Sequence, residues 1–343
     1  VTDERSPAFQ AALRKLLAQR EVAHAWDVFR DWALDEGHAR GELMALDAEL
    51  EATRTSLSTS ARVERERASF FSRHRSHFLG RDQLLGDLQL TWRRGFISRA
   101  VVPNAGVHLD CLRELSTHVS GALLEALECS PRELHTYLEA GSRELRALTL
   151  RAPAPQPGEV NFDGASGRRT PREHQEPIDD EQSLSADALP FLEELTIQGP
   201  ITLDLGRFSS TRLRELVFVR LAYTDLNIAN ITSILDRCSA VERFVPDATA
   251  PASLRVVFER RLQTLELNEF TDETARVLLE SPLHVGTLDL RSFDASARQF
   301  EALSVWLRTE PRVRRVLVAR SAPPLIRSQV KGFNTRKLPP RPR

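Results

Sequence analysis

One short pattern recurs along the second half of this chain: an aliphatic residue, two variable residues, an apolar residue, one variable residue and a second apolar residue. It appears as Leu145/Leu148/Leu150, Leu192/Leu195/Ile197, Leu213/Leu216/Phe218, Leu262/Leu265/Leu267, Val285/Leu288/Leu290 and Val313/Val316/Val318, with a degenerate copy at Val241/Phe244. From Leu192 onward the first positions advance by 21, 28, 21, 23 and 28 residues. A unit of that length cannot close a core by itself and must bury its apolar positions against its neighbours. The spacing therefore predicts stacked parallel strands joined by helix-like stretches at Ile228–Leu235, Thr274–Leu279 and Phe300–Leu307. The step from Leu145 to Leu192 is 47 residues and holds a polar stretch rich in Pro and Gly, residues 152–187, which reads as a disordered insertion.

On these residues the region from about 143 to 320 resembles the leucine-rich repeat family. The resemblance implies an α/β solenoid, a parallel β-sheet with helical connections, that presents a concave sheet to partners. The family usually places Asn three residues after the last strand position. Here Pro153, Pro200, Leu221, Phe270, Phe293 and Ser321 stand in that place, so the side-chain ladder along the turns is missing.

The preceding residues read as helices. Ser6-Pro7 is an N-cap with proline at the first helical position, followed by Phe9, Leu13, Leu16 and Leu17 at helical spacing. Val22, Trp26, Phe29 and Ala33 form a second stripe ending at Gly37, and Leu43, Leu46 and Leu50 form a third. The Arg/Glu alternation from Arg62 to Arg67 is a solvated helix face leading into Phe70, Phe71 and Phe78. The run from Arg30 to Leu43, with Asp31, Trp32, Leu34, Gly37, Arg40, Gly41 and Glu42, resembles the short bacterial repeat-companion domain that commonly precedes leucine-rich repeats. That resemblance implies architecture and no chemistry; Glu42 is expected to pair with Arg40 or with a helix start.

After residue 88 the period changes: Leu90, Trp92, Phe96, Ile97, Val101 and Val102 predict strands broken at Arg94-Gly95. Ser130-Pro131-Arg132-Glu133 then forms a capping box whose helix stops at Gly141. The expected organisation is a small all-α domain over 1–88, a leucine-rich-repeat-like solenoid over 89–320 and a basic disordered tail over 321–343. Charge follows these segments. Residues 1–100 carry 16 basic and 15 acidic side chains, residues 101–320 carry 25 and 33, and the tail carries 6 and none. The near-neutral total of -1 gives no reason to expect nucleic-acid or membrane binding, and an acidic solenoid would repel phosphate.

The chemistry expected of this chain is correspondingly sparse. No GxxxxGK[ST] or GxGxxG loop occurs. His74 and His77 are a close pair flanked by Arg73 and Arg75, which reads as a surface feature and not as a metal site, so no metal and no cofactor are expected. Cys111, Cys129 and Cys238 lack CxxC spacing and read as reduced core thiols, which, with no secretory signal and no apolar run of membrane length, points to the cytoplasm. An enzymatic alternative rests on Cys111 with His108 as a nucleophile and base.

A binding surface follows from strand alternation, which buries one set of side chains and turns the set between them outward. The outward positions include Glu194, Thr196, Glu215, Val217, Val219, Glu266, Asp289 and Arg291. Two readings stay open. These residues are either a solvated sheet face or a protein-binding site with Glu194, Glu215, Glu266 and Asp289 as its acidic element and Val217 and Val219 as its apolar patch. The leading expectation is a non-enzymatic interaction module or scaffold for a protein partner.

Overall fold

Local sequence chemistry starts each of the first elements. The Ser6 hydroxyl accepts the Phe9 amide at 3.2 Å and Pro7 occupies the first helical position, opening α1 (Pro7–Ala18). Helices α2 (Ala23–Asp35) and α3 (Ala39–Ala52) turn about Gly37 and pack at Gly41, where a Cβ would lie 2.7 Å from the Leu34 backbone nitrogen. Only a residue without a side chain permits that approach. Helix α4 (Leu57–Arg73) and the single turn α5 (Arg75–Phe78) follow. Arg62 bridges Glu66 at 2.9 Å and Glu49 at 2.6 Å with both partners about half exposed, which is the solvated helix face that the sequence indicates.

The computed structural model describes residues 3–53, 56–103, 109–141, 144–151, 160–162, 169–171, 188–199, 208–219, 233–245, 261–267, 284–290, 315–319 and 336–338. Its described elements make the chain α/β with a mostly parallel sheet, and they divide into two compact units, Val1–Leu145 and Arg146–Arg343.

In the first unit β1 (Gln89–Arg93) and β2 (Phe96–Val101) form an antiparallel hairpin closed at Arg94-Gly95, both with positive φ. After α6 (Leu109–Thr117), β3 (Ala126–Cys129) joins β2 in parallel, and α7 (Pro131–Glu139) completes the unit with the full Ser130/Glu133 capping box. The unit boundary falls well after residue 88. The reason is packing: Phe96 of β2 and Leu123 share one core with Phe9, Leu13, Leu16, Phe29 and Met44, so the hairpin belongs with the helices.

In the second unit β4 (Ala147–Arg151), β7 (Glu194–Gln198), β8 (Glu215–Val219), β9 (Arg243–Val245), β10 (Arg261–Glu266), β11 (His284–Leu290) and β12 (Arg315–Ala319) pair in parallel and in register. Leu148, Leu195, Leu216, Phe244, Leu265, Leu288 and Val316 form one continuous row, every member buried. Each such side chain contributes roughly 1.5–3 kcal/mol by leaving water. Residues 233–237 are helical with Ile234 and Leu235 buried, matching part of the first expected connection; Thr274–Leu279 and Phe300–Leu307 lie outside the described residues.

Two segments expected to lack regular structure contain strands. Within 152–187, β5 (Val160–Phe162) pairs antiparallel with β6 (Arg169–Pro171), where Val160, Phe162 and Thr170 are strand formers. Within the tail, β13 (Arg336–Leu338) pairs parallel with β12. An edge strand offers unpaired amides and carbonyls, and a passing tail can satisfy them.

Candidate partner-binding face

Alternation along the parallel ladder places Glu194, Thr196 and Gln198 on one face and Leu195 and Ile197 on the other, and the same phase runs through the neighbouring strands. The outward set splits into two parts. Along the row of Thr149, Thr196 and Val217 the side chains are half-buried, with Glu194 and Gln198 exposed and Glu215 and Val219 half-buried around them. Farther along the ladder Val245, Glu266, Asp289 and Leu317 are all buried.

This corrects the expected acidic surface. Glu266 and Asp289 sit side by side in the register of β10 and β11 at 5% and 2% exposure, so neither is presented to a partner as a surface charge. Buried carboxylates need compensation. For Glu266 it comes from Arg243, which reaches Glu215 with Nη1 and Glu266 with Nη2 across three strands. Burial works against the charge on Arg243, but the hydrogen bonds and charges of Glu266 and Glu215 outweigh it and raise its pKa further. Sequence reasoning passed over Arg243 because it stands in the degenerate copy. The signal was present: Arg243 precedes Phe244 just as Glu215 precedes Leu216. Arg291 lies outside the described residues.

Along the outward row through Thr196 the open part is the face of β4, β7 and β8, whereas on the adjacent row Arg243, Thr264, Thr287 and Arg315 stay half-buried, as Glu215 does. The face of β4, β7 and β8 joins the Thr149, Thr196 and Val217 row to Arg151, Gln198 and Val219, a mixture of small apolar and polar groups on a rigid frame. Such a surface can exclude water at its centre and hydrogen-bond at its rim.

The cysteine alternative has a different geometry. Cys111 is buried on α6 with its thiol 3.8 Å from Asp87 Oδ2, and burial followed by the Asp87 charge pushes its pKa up. That environment suppresses the thiolate. His108 lies outside the described residues, and Cys129 and Cys238 are buried and form no disulfide among the described residues. His74 lies tilted against Phe70 at 4.6 Å and His77 lies 3.0 Å from Glu4, each half-buried. Among the described residues no three His, Cys, Asp or Glu side chains gather as a metal site, and no helix is long and apolar enough to cross a membrane. No protein-family model matches the chain, and neither does any curated protein.

Proposed function

We propose that this chain is a non-enzymatic protein-interaction module of leucine-rich-repeat type, acting in the cytoplasm. Its partner docks on the face of β4, β7 and β8. The observation that carries the reading is the split of the outward row: Thr149, Thr196 and Val217 remain partly open, whereas Val245, Glu266, Asp289 and Leu317 are buried. A repeat ladder fixes these side chains with little freedom left to lose, which lowers the entropic cost of binding. The recurring period and the in-register apolar row support the repeat assignment. Buried cysteines that form no disulfide among the described residues suit a reducing compartment.

The test is capture of partners by the purified chain and by a Thr196→Arg/Val217→Arg variant, with Glu64→Lys on the exposed face of α4 as a control. Proteins held by the wild type and the control but released by the double variant, at unchanged melting temperature, support the reading. Identical capture by all three chains would contradict it.

A further inference from the structure

The most completely built polar site in the described residues lies in the first unit, away from the strand face. Arg40 on α3 is 0% exposed. Its Nε and Nη2 meet Glu4 Oε1 and Oε2 at 2.8 and 2.7 Å, a two-pronged grip on one carboxylate. Nη2 also donates to Ser120 Oγ at 3.1 Å, and Ser120 Oγ in turn donates to the Phe78 carbonyl at 2.8 Å. Nη1 donates to the Gly95 carbonyl in the β1–β2 turn. The guanidinium lies 4.7 Å from the Phe96 ring and 5.5 Å from the Phe78 ring, so aromatic faces wall the charge. His77 Nε2 reaches Glu4 Oε1 from α5 at 3.0 Å.

All of this cradle comes from α3, α5, the turn at 119–121, the β1–β2 turn and the first residue of β2; the carboxylate comes from elsewhere. Glu4 belongs to the short stretch before α1, whose backbone is tied by the Gln10 side chain to the Glu4 carbonyl at 2.9 Å. The cradle is therefore complete without that stretch and short of a single anion. Its opposite side is fixed as well, because the Gly95 amide donates to Asp47 Oδ2 at 2.8 Å and Asp47 is held by Arg67. The peptide unit at Gly95 is thus gripped at both its amide and its carbonyl by α3. Gly95 has φ +76°, and a Cβ there would lie 2.7 Å from Met44 Cγ.

We infer that Arg40, held in place by Ser120, forms with His77 a carboxylate-binding site that Glu4 fills in cis, and that occupancy of this site locks the β1–β2 turn onto α3. The ligand class is a monocarboxylate. Truncating Glu4 to Ala removes Cγ, Cδ and both oxygens, which are the heavy atoms of an acetate ion, so acetate is the matching occupant of the vacated site.

The experiment measures melting temperature and amide exchange of residues 93–97 in Glu4→Ala, near neutral pH, in sodium acetate and in sodium chloride of equal ionic strength. The variant should melt roughly 10 °C below the wild type, since an uncompensated buried charge is left behind. Acetate should restore both readouts saturably, whereas chloride should not. A Glu4→Gln chain keeps the bulk without the charge and should gain nothing from acetate. If Glu4→Ala folds only when refolded in acetate, the site is supported just as directly. Equal recovery in chloride, recovery of Glu4→Gln by acetate, or a Glu4→Ala chain that acetate does not rescue would each overturn the inference.

Discussion

The first unit and the second unit solve the same problem, how to hold strands in place, by opposite means. In the first, one buried arginine ties together residues far apart in sequence, Glu4, Gly95 and Ser120, and each contact is used once. In the second, one apolar position is repeated strand after strand from Leu148 to Val316, with the same partner geometry each time. Irregular packing uses a directional polar group to define its geometry, whereas repetition defines geometry by register alone. Arg243 is where the second unit borrows the first unit's device, and it does so in the one copy where the repeat is degenerate.

Removing the guanidinium from each unit sharpens that contrast. Arg40→Ala leaves Glu4 buried without its main partner and should cost about 4 kcal/mol, read by chemical denaturation. Arg243→Ala should cost less, because its side chain is 17% exposed and the surrounding row still packs. Equal losses would mean that the second unit depends on its charge as much as the first does. Next in size is Leu216→Ala, a cavity in the repeated row, expected to cost about 3 kcal/mol. A loss below about 1 kcal/mol would show that the row does not carry the second unit.

Acid should separate the units further. Burial raises the Glu4 pKa, but Arg40 and His77 outweigh it and bring it down from 4.5 to about 2. A depressed folded pKa means that the unfolded state takes up the proton first, so this stability is present above pH 4.5 and is lost as pH falls toward 2. Its size is roughly 3 kcal/mol. Partial burial of His118, followed by the nearby Arg40 charge, lowers its pKa from 6.5 to about 4, so its contribution fades as pH falls between those two values. Stability measured against pH should therefore decline in two stages. Glu4→Gln should abolish the lower one, and its persistence in that variant would refute the assignment.

The second unit was the more legible of the two in the sequence, because a repeat announces its own register: Leu195, Leu216, Leu265 and Leu288 were all placed inward by period alone. Burial of Glu266 and Asp289 was not legible. Alternation says which way a side chain points and nothing of what lies beyond it. In the first unit the helix starts at Ser6 and Ser130 and the turn at Arg94-Gly95 could be read locally. The Glu4–Arg40 pair could not, since it joins residues 36 positions apart and nothing at Glu4 marks it; the expected local partner, Glu42, is instead exposed in the first turn of α3. The change of period at residue 88 marks a change of secondary structure, and the first compact unit runs on to Leu145 because Phe96 and Leu123 pack with the helices.

The smallest expected effect on stability belongs to a residue at the centre of the proposed binding face. Val217→Arg is half-open on a rigid strand and should change unfolding free energy by less than about 0.5 kcal/mol. Placing a photo-crosslinking side chain at position 217, with Leu57 at 89% exposure as the comparison site, tests the binding face directly. The expected result is a covalent adduct between position 217 and the protein captured by the wild-type chain, with none from position 57. No adduct at 217 while capture persists, or equal adducts at both positions, would contradict partner docking on β4, β7 and β8.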